Sequence, residues 1–447
     1  MSRPSSPDTG APDRGLKHAF RALRHRDFAL FWSGALVSNV GTWMQNVTVP
    51  FVLYALTDSV AWLGLAAFLQ FTPMMMMGAL GGVLADRFPR KRILLATQAG
   101  QMIVALGLWV LWISERATPG SIVALMVVAG VIAGIQLSAW QSFVPQLVPR
   151  ESLLNAVTLN SAQFNASRGI GPALAGVVLA VSGPGGAFLI NGLSYLFVIG
   201  ALLAIRSAGP VLERSERRMA GQFRDGVAYV RRHTGLGLAI VMVAFAGVLG
   251  APIVQFTPVF ARDVFEVGEA AYGFLAASLG LGAVIGAVLL GGYGDGIRRS
   301  RLSTGGLLAY GAAATLMAAA PTYAVGVGAL LLMGVAYIVL ASALNTSVQL
   351  LVAEEFRGRA MALYLMAFTG GYPIGALVQG RIADAVGVQA TVAGAGLTLV
   401  VVAAVLLSRR DLIGTLDNDE QDRIEPTLSV TPRATQAAAA AAPAAGN

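Results

Sequence analysis

The sequence predicts an all-α membrane protein with twelve transmembrane helices in two pseudo-symmetric six-helix bundles. Three observations carry this. The 447 residues are 56% hydrophobic, and only 12% are Asp, Glu, Lys or Arg, about half the roughly 25% of a soluble domain. Twelve apolar runs each approach or exceed the about 20 residues that cross a bilayer. Lys and Arg fall almost wholly on one side of those runs. The 53 glycines sit mostly inside the runs, where small residues let membrane helices pack closely. With no cysteine, disulfides, zinc thiolates and thiol catalysis are excluded.

In chain order, residues 1–27 form a polar, basic arm, expected to be cytoplasmic. The arm has no short apolar core with a small-residue cleavage site, so the first run is expected to be retained as a span. The runs follow at 28–56, 60–84, 93–113, 121–143, 155–181 and 186–205, then at 237–260, 271–292, 302–320, 324–347, 360–381 and 387–407. On this count 27 of the 31 Lys and Arg lie on one face, three (Arg116, Arg262, Arg381) on the other, and Arg168 lies inside a run. The bias places both termini in the cytoplasm of a cell carrying the protein in its plasma membrane. It also accounts for the net charge of +8 without nucleic acid.

Residues 28–205 and 237–407 thus form two bundles joined by a cytoplasmic linker, 206–236. The linker opens with Glu213, Arg214, Glu216, Arg217 and Arg218 and becomes periodic at Phe223, Val227, Tyr229 and Val230, which predicts a short amphipathic helix at the membrane interface. The tail, 408–447, is polar, then Pro- and Ala-rich, and is expected to be disordered. The halves resemble one another. A shift of 204 positions lays Val144–Gly176 over Val348–Gly380 with ten identities in 33, and a shift of 209 matches Gly82, Asp86, Arg90 and Arg92 with Gly291, Asp295, Arg299 and Arg301. Duplicated bundles suit a transporter whose halves rock about a central site.

Two motifs narrow the reading. Between the second and third runs stands Gly81-Gly82-Val83-Leu84-Ala85-Asp86-Arg87-Phe88-Pro89-Arg90-Lys91-Arg92. Gly82 permits close helix approach, Asp86 at a helix end can pair with an arginine or cap a neighbour, and the basic residues hold the loop in the cytoplasm. In the fifth run stands Arg168-Gly169-Ile170-Gly171-Pro172-Ala173-Leu174-Ala175-Gly176, where Pro172 removes a helix hydrogen bond and Gly171 and Gly176 allow bending and tight packing. The first resembles the loop motif of the major facilitator superfamily, with Pro89 in place of a glycine. The second resembles the Gly-Pro-x-x-Gly motif of its antiporters. Leu23–Phe28 through Leu56–Ser59, Val148–Ala156 and Phe356–Ala360 resemble the branch holding enterobactin-type siderophore exporters and macrolide efflux proteins. The resemblance spans about residues 20–408. It implies alternating access and secondary active, proton-coupled export of a small amphipathic or hydrophobic molecule by a monomer without cofactor, and leaves the substrate open.

Polar residues inside spans tend to face the bundle interior. Asn39, Trp43 and Asn46 share one face of the first span, and Thr158, Ser161, Asn165 and Arg168 one face of the fifth. Of these, Asn39, Trp43, Asn46, Asn165 and Arg168, with Gln136, Trp140, Gln255, Asn345, Tyr364 and Tyr372, are the candidate substrate contacts. For a single Gln or Asn, a bond between helices competes with that role. In the resembled fold spans one, four, seven and ten line the cavity. Arg168 is the sharpest candidate. It lies about 20 Å into its span at 1.5 Å per residue, where a cation costs at least about 3 kcal/mol, and no run carries a central carboxylate to pair with it. An Arg satisfied by neighbouring backbone carbonyls remains the alternative to one facing substrate. The same lack of carboxylates leaves boundary acids such as Asp58 and Asp86 for coupling and gating.

Other classes find less support. A lipid-modifying enzyme would need clustered acids for a metal or an acid/base pair, and Asp263, Glu266 and Glu269 are spaced along a loop. No phosphate-binding loop for an ATP-driven pump is present. Met74–Met77 point in four directions around a helix without His or Cys, which suits packing rather than copper. A non-transporting sensor or scaffold is a further alternative, for which duplicated bundles with paired gate loops would be unneeded; an importer is the rival within transport, and the Gly-Pro motif weighs against it.

Overall fold

The computed structural model describes residues 20–206, 219–294 and 296–417. Among these no strand forms. The helices are α1 (Arg26–Thr57), α2 (Val60–Arg87), α3 (Arg90–Ile113), α4 (Pro119–Phe143), α5 (Leu153–Ala204), α6 (Met219–Arg232), α7 (Thr234–Phe245), α8 (Glu269–Tyr293), α9 (Arg299–Ala318), α10 (Tyr323–Leu351), α11 (Arg357–Val386), α12 (Val388–Ser408) and α13 (Arg410–Gly414). Nine stretches among the described residues are long and apolar enough to cross a membrane. One of them, Arg150–Ala204, has 55 residues, far beyond the about 20 needed for one crossing. It is broken within α5 at Gly183, whose φ of 65° only glycine adopts without strain. The break falls between the fifth and sixth runs of the sequence. α1 and α9 lie outside the nine: α1 carries Asn39, Gln45 and Asn46, and α9 opens on Arg299 and Arg301.

The chain packs as two halves. α1 and α3 lie against α5, and α2 against α4; in the second half α9 lies against α10 and α12, and α8 against α10. The halves meet along two seams, α2 with α11 and α5 with α8. Both seams depend on glycine. A Cβ on Gly380 would lie 2.8 Å from the Val60 carbonyl, and one on Gly176 2.7 Å from the Gly273 Cα. At the end away from the termini the contact is reinforced by polar groups. Arg262 pairs with Asp58 and, at 2.8 Å, with Asp263, while the Tyr54 hydroxyl donates to Asp263. Asp384 of α11 accepts from Ser59 Oγ at 2.6 Å, from the Val60 N–H at 2.6 Å and from the Ala61 N–H at 3.3 Å, and so caps α2. Toward the terminal end the seams part: among the described residues nothing lies within 4 Å of a Cβ built on Gly78, Gly82, Gly291 or Gly292, and Leu154, Val288 and Tyr293 are largely exposed.

Two features depart from the sequence expectations, and a third adds to them. The seventh run is not a regular helix: after α7 the chain passes through π turns (Ala246–Gly250, Phe260–Val264) and a 3-10 turn (Ala251–Phe256), because Pro252 and Pro258 each withhold an N–H from the helical ladder. The tail is not wholly irregular. α13 folds back, and Asp417 accepts from the Ser300 N–H at 2.9 Å and from Ser300 Oγ at 2.5 Å; the tail beyond 417 lies outside the described residues. The arm is structured from residue 20, where Asn155 Oδ1 accepts from the Ala22 N–H at 2.8 Å. Its earlier part and the charged opening of the linker lie outside the described residues, and α6 stands where the linker was expected to become helical.

Candidate functional site

Arg168 projects from α5 into the space between the halves. Its guanidinium carbon lies 5.6 Å from the Trp43 ring of α1 and 5.1 Å from the Tyr337 ring of α10. None of the ion pairs among the described residues includes Arg168. Two aromatic faces therefore stand where a carboxylate would be expected. Cation–π contacts of this kind contribute about 0.5–2 kcal/mol each, enough to offset much of the insertion cost of the cation while leaving its N–H donors for a ligand.

Around this centre the rings continue. Trp43 meets Phe164 edge-on at 5.8 Å, Tyr337 lies tilted against Tyr310 and stacks on Phe368, and Phe368 stacks on Tyr364. Across the other seam, Phe71 of α2 meets Tyr372 of α11 edge-on at 4.9 Å, and the Tyr372 hydroxyl donates to Gln255 Oε1 at 3.1 Å. From the predicted set the structure therefore brings Trp43 and Arg168 together at one seam and Tyr372 and Gln255 together at the other. It adds Tyr337, Phe71 and Phe164, which polarity alone could not pick out because aromatic residues in spans are ordinary packing. The signal that could have found Tyr337 is its place on the tenth run, one of those that line the cavity in the resembled fold.

The remaining candidates divide. Asn39 and Asn46 are half-buried on the Trp43 face of α1. Asn165 is exposed and its side-chain amide donates to the Ser161 carbonyl at 2.9 Å. Gln136 is half-buried, and its Oε1 is shielded without a hydrogen-bond partner. Three candidates make bonds within their own half. Trp140 Nε1 donates to Asn160 Oδ1 at 3.2 Å, Asn345 accepts from Gln349 at 2.5 Å, and the buried Tyr364 hydroxyl donates to the Ala341 carbonyl at 3.0 Å. Each of these last three is held by helix-to-helix or same-helix bonding.

The Gly-Pro motif lies on the seam. A Cβ on Gly171 would lie 2.5 Å from the Trp43 Cβ, so this glycine lets α5 approach α1 beside the Arg168 site. Gly176 faces Gly273 of the other half, and a Cβ on Gly280 would meet the Arg168 carbonyl at 2.7 Å. In the loop motif, α2 ends at Arg87 and α3 begins at Arg90, with Pro89 between them. Asp86 and Arg87 are exposed, and none of the ion pairs among the described residues includes Asp86. Arg90 is buried instead, with Nε and Nη1 lacking partners, and Lys91 Nζ donates to the Ile205 carbonyl at 2.7 Å. Gly291 is exposed, Arg299 starts α9, and Asp295 lies outside the described residues.

Comparison with known proteins agrees with this architecture. The family model described as transmembrane secretion effector matches residues 17–433. The chain is 23% identical to macrolide efflux protein A of Streptococcus pyogenes over 374 residues, covering 81% of this chain and 90% of that protein. It is 24% identical to the enterobactin exporter EntS of Escherichia coli over 383 residues, 86% of this chain and 91% of that one. Among solved structures, a bacterial homologue of the human lysosomal transporter Spinster superposes with a TM-score of 0.70 at 15% identity, over 92% of this chain and all of that one. The nucleoside transporter NupG gives 0.68 at 14% identity, over 86% and 98%.

Proposed function

The chain belongs to the transmembrane secretion effector family of the major facilitator superfamily, and from that membership we propose that it exports a small amphipathic or hydrophobic molecule by alternating access, in exchange for protons. It is a multi-pass membrane transporter, and its relatives include efflux proteins and siderophore exporters. We read the doubled stretch of α5 as two spans and add α1 and α9 to the nine, which gives twelve. The terminal end then faces the cytoplasm, in keeping with the distribution of Lys and Arg. In that orientation the described state is closed outward and open inward, ready to take its cargo from the cell. The protein acts as a monomer, and the cargo is a drug or a siderophore-like compound.

The observation that carries the reading is Arg168, seated between Trp43 of one half and Tyr337 of the other. A group touching both halves feels their relative motion, which is what a transport site must do. Its charge, with no carboxylate beside it, favours anionic or neutral polar cargo over cations. The rings around it favour cargo with apolar or aromatic surface.

The test is efflux from proteoliposomes or cells, compared across siderophores, macrolides and dyes, with Arg168→Lys and Arg168→Ala variants. Arg168→Ala should weaken apparent affinity for the true cargo at least about tenfold, the equivalent of about 1.4 kcal/mol. Arg168→Lys should recover part of it, because an ammonium keeps the charge but loses the planar stacking. Unchanged affinity in both variants would remove Arg168 from the site. Efflux that persists after the proton gradient is collapsed would overturn the antiport reading.

A further inference from the structure

Helix α6 presents two unlike faces. On one, Gly226, Val230 and His233 are buried, and the Tyr229 ring stacks on Phe356 at 4.2 Å with 7° between planes. The Tyr229 hydroxyl accepts from the Ala353 N–H at 3.1 Å, and a Cβ on Gly226 would lie 3.0 Å from the Arg359 Cβ. These contacts fix the helix to the connection between α10 and α11. The other face carries Arg224, Val227, Ala228, Arg231 and Arg232, which line a shallow cavity of ≈480 Å³. The three arginines are exposed, and none of the ion pairs or side-chain hydrogen bonds among the described residues uses them. Asp225 is the one acid on this helix.

Depth gives this face a partner. Arg232 stands two residues before Thr234, where the apolar stretch Thr234–Val264 begins with a mean hydropathy of 2.4. Arg231 and Arg232, at the end of α6, therefore stand where the chain enters the apolar stretch, at the level of lipid headgroups, with Arg224 on the same face of the helix. Guanidinium groups bind phosphate oxygens bidentately, and the apolar Val227 and Ala228 between them suit the glycerol and upper acyl carbons of a lipid more than a free anion.

We propose that the outer face of α6 is a binding site for the headgroup of an anionic phospholipid in the leaflet at the terminal end of the molecule. Because α6 is fastened to the α10–α11 connection, the bound lipid anchors the second half to the bilayer while the first half is free to move against it. Basic segments beside a membrane span draw anionic lipid by local surface charge, and here the fixed helix sets three of those charges in one row.

The experiment titrates the full-length protein in detergent with phosphatidylglycerol, phosphatidylcholine or inorganic phosphate, and reads bound lipid by native mass spectrometry together with the unfolding temperature. Phosphatidylglycerol should be retained and raise the unfolding temperature; phosphatidylcholine and phosphate should do neither. The combined Arg224→Gln, Arg231→Gln, Arg232→Gln variant should lose affinity for phosphatidylglycerol at least about tenfold. A charge-matched control, Arg150→Gln with Arg206→Gln and Arg298→Gln, should stay within about twofold of the parent. Arg231→Gln alone, with its smaller expected loss of about threefold, keeps the test readable should the triple variant fold poorly. Equal losses in the triple and control variants, or equal stabilisation by inorganic phosphate, would overturn the proposal.

Discussion

Gly176 is the residue at which the Gly-Pro motif acquires a structural meaning. It touches Gly273 across the α5–α8 seam, so the absence of a side chain on both is what lets the halves close. Overpacking a tight contact of this kind typically costs about 1–3 kcal/mol, and here the strain falls on the closed arrangement alone. Gly176→Val should therefore slow transport at least about tenfold with little change in fold. Gly200→Val, on the same helix with open space around it, should transport at the parent rate. The comparison is made by initial efflux rates at matched membrane abundance. Equal rates for Gly176→Val and the parent would mean that this seam is not rate-determining.

Among the elements, α2 is held from the opposite half by the Asp384 carboxylate at its N-terminus. A helix N-terminus presents unpaired N–H groups and a partial positive charge, and a carboxylate cap there is worth about 0.5–2 kcal/mol. The neighbouring Arg262–Asp58 pair is well exposed, with side chains 45% and 73% accessible, and pairs of that sort contribute about 1 kcal/mol or less. Asp384 should thus be the stronger of the two latches. The chain has no cysteine, so Ala376→Cys, buried in the α2–α11 seam, reports the opening of this end through labelling by a membrane-impermeant maleimide. Asp384→Ala should raise the labelling rate about fivefold, corresponding to about 1 kcal/mol, and Arg262→Gln by less. No change with Asp384→Ala would assign the closure to apolar packing alone. At this scale the sequence was a good guide to helices and a poor one to their interiors. Continuous apolar runs and Lys/Arg flanks are set locally, which is why the span bounds lie close to the helices. The π and 3-10 turns after α7 depend on which carbonyl a proline frees, and the return of Asp417 onto Ser300 depends on contact across more than a hundred residues. The cluster around Arg168 was half legible for the same reason. A lone intramembrane charge stands out in a sequence, whereas Tyr337 and Phe71 become distinctive only when helix packing sets the one against Arg168 and the other against Tyr372.

For the whole molecule, alternation requires the terminal end to close when the other opens, so surfaces left without neighbours in the described state are the places to look for contacts of the opposite state. Among the described residues nothing lies within 4 Å of the Cβ position of Gly82, and Asp86, one turn further along α2, is exposed and takes part in none of the ion pairs. Both lie on the helix that forms one seam with the second half, but beyond the point where that seam parts. We propose that Asp86 serves this gate, gaining its partners only when the terminal end shuts, rather than carrying the coupled proton. A carboxylate that acts in one conformation stabilises that conformation without touching cargo, so its loss should slow the cycle and spare binding. Asp86→Asn should reduce efflux turnover about tenfold or more, as the loss of a charge-assisted contact of about 1.5–3 kcal/mol predicts, while the dissociation constant for cargo measured on the purified protein stays within about twofold. It should also lower maleimide labelling of Ala376→Cys, because destabilising one closed end favours the other. A variant that turns over at the parent rate, or one that fails to bind cargo, would remove Asp86 from the gate.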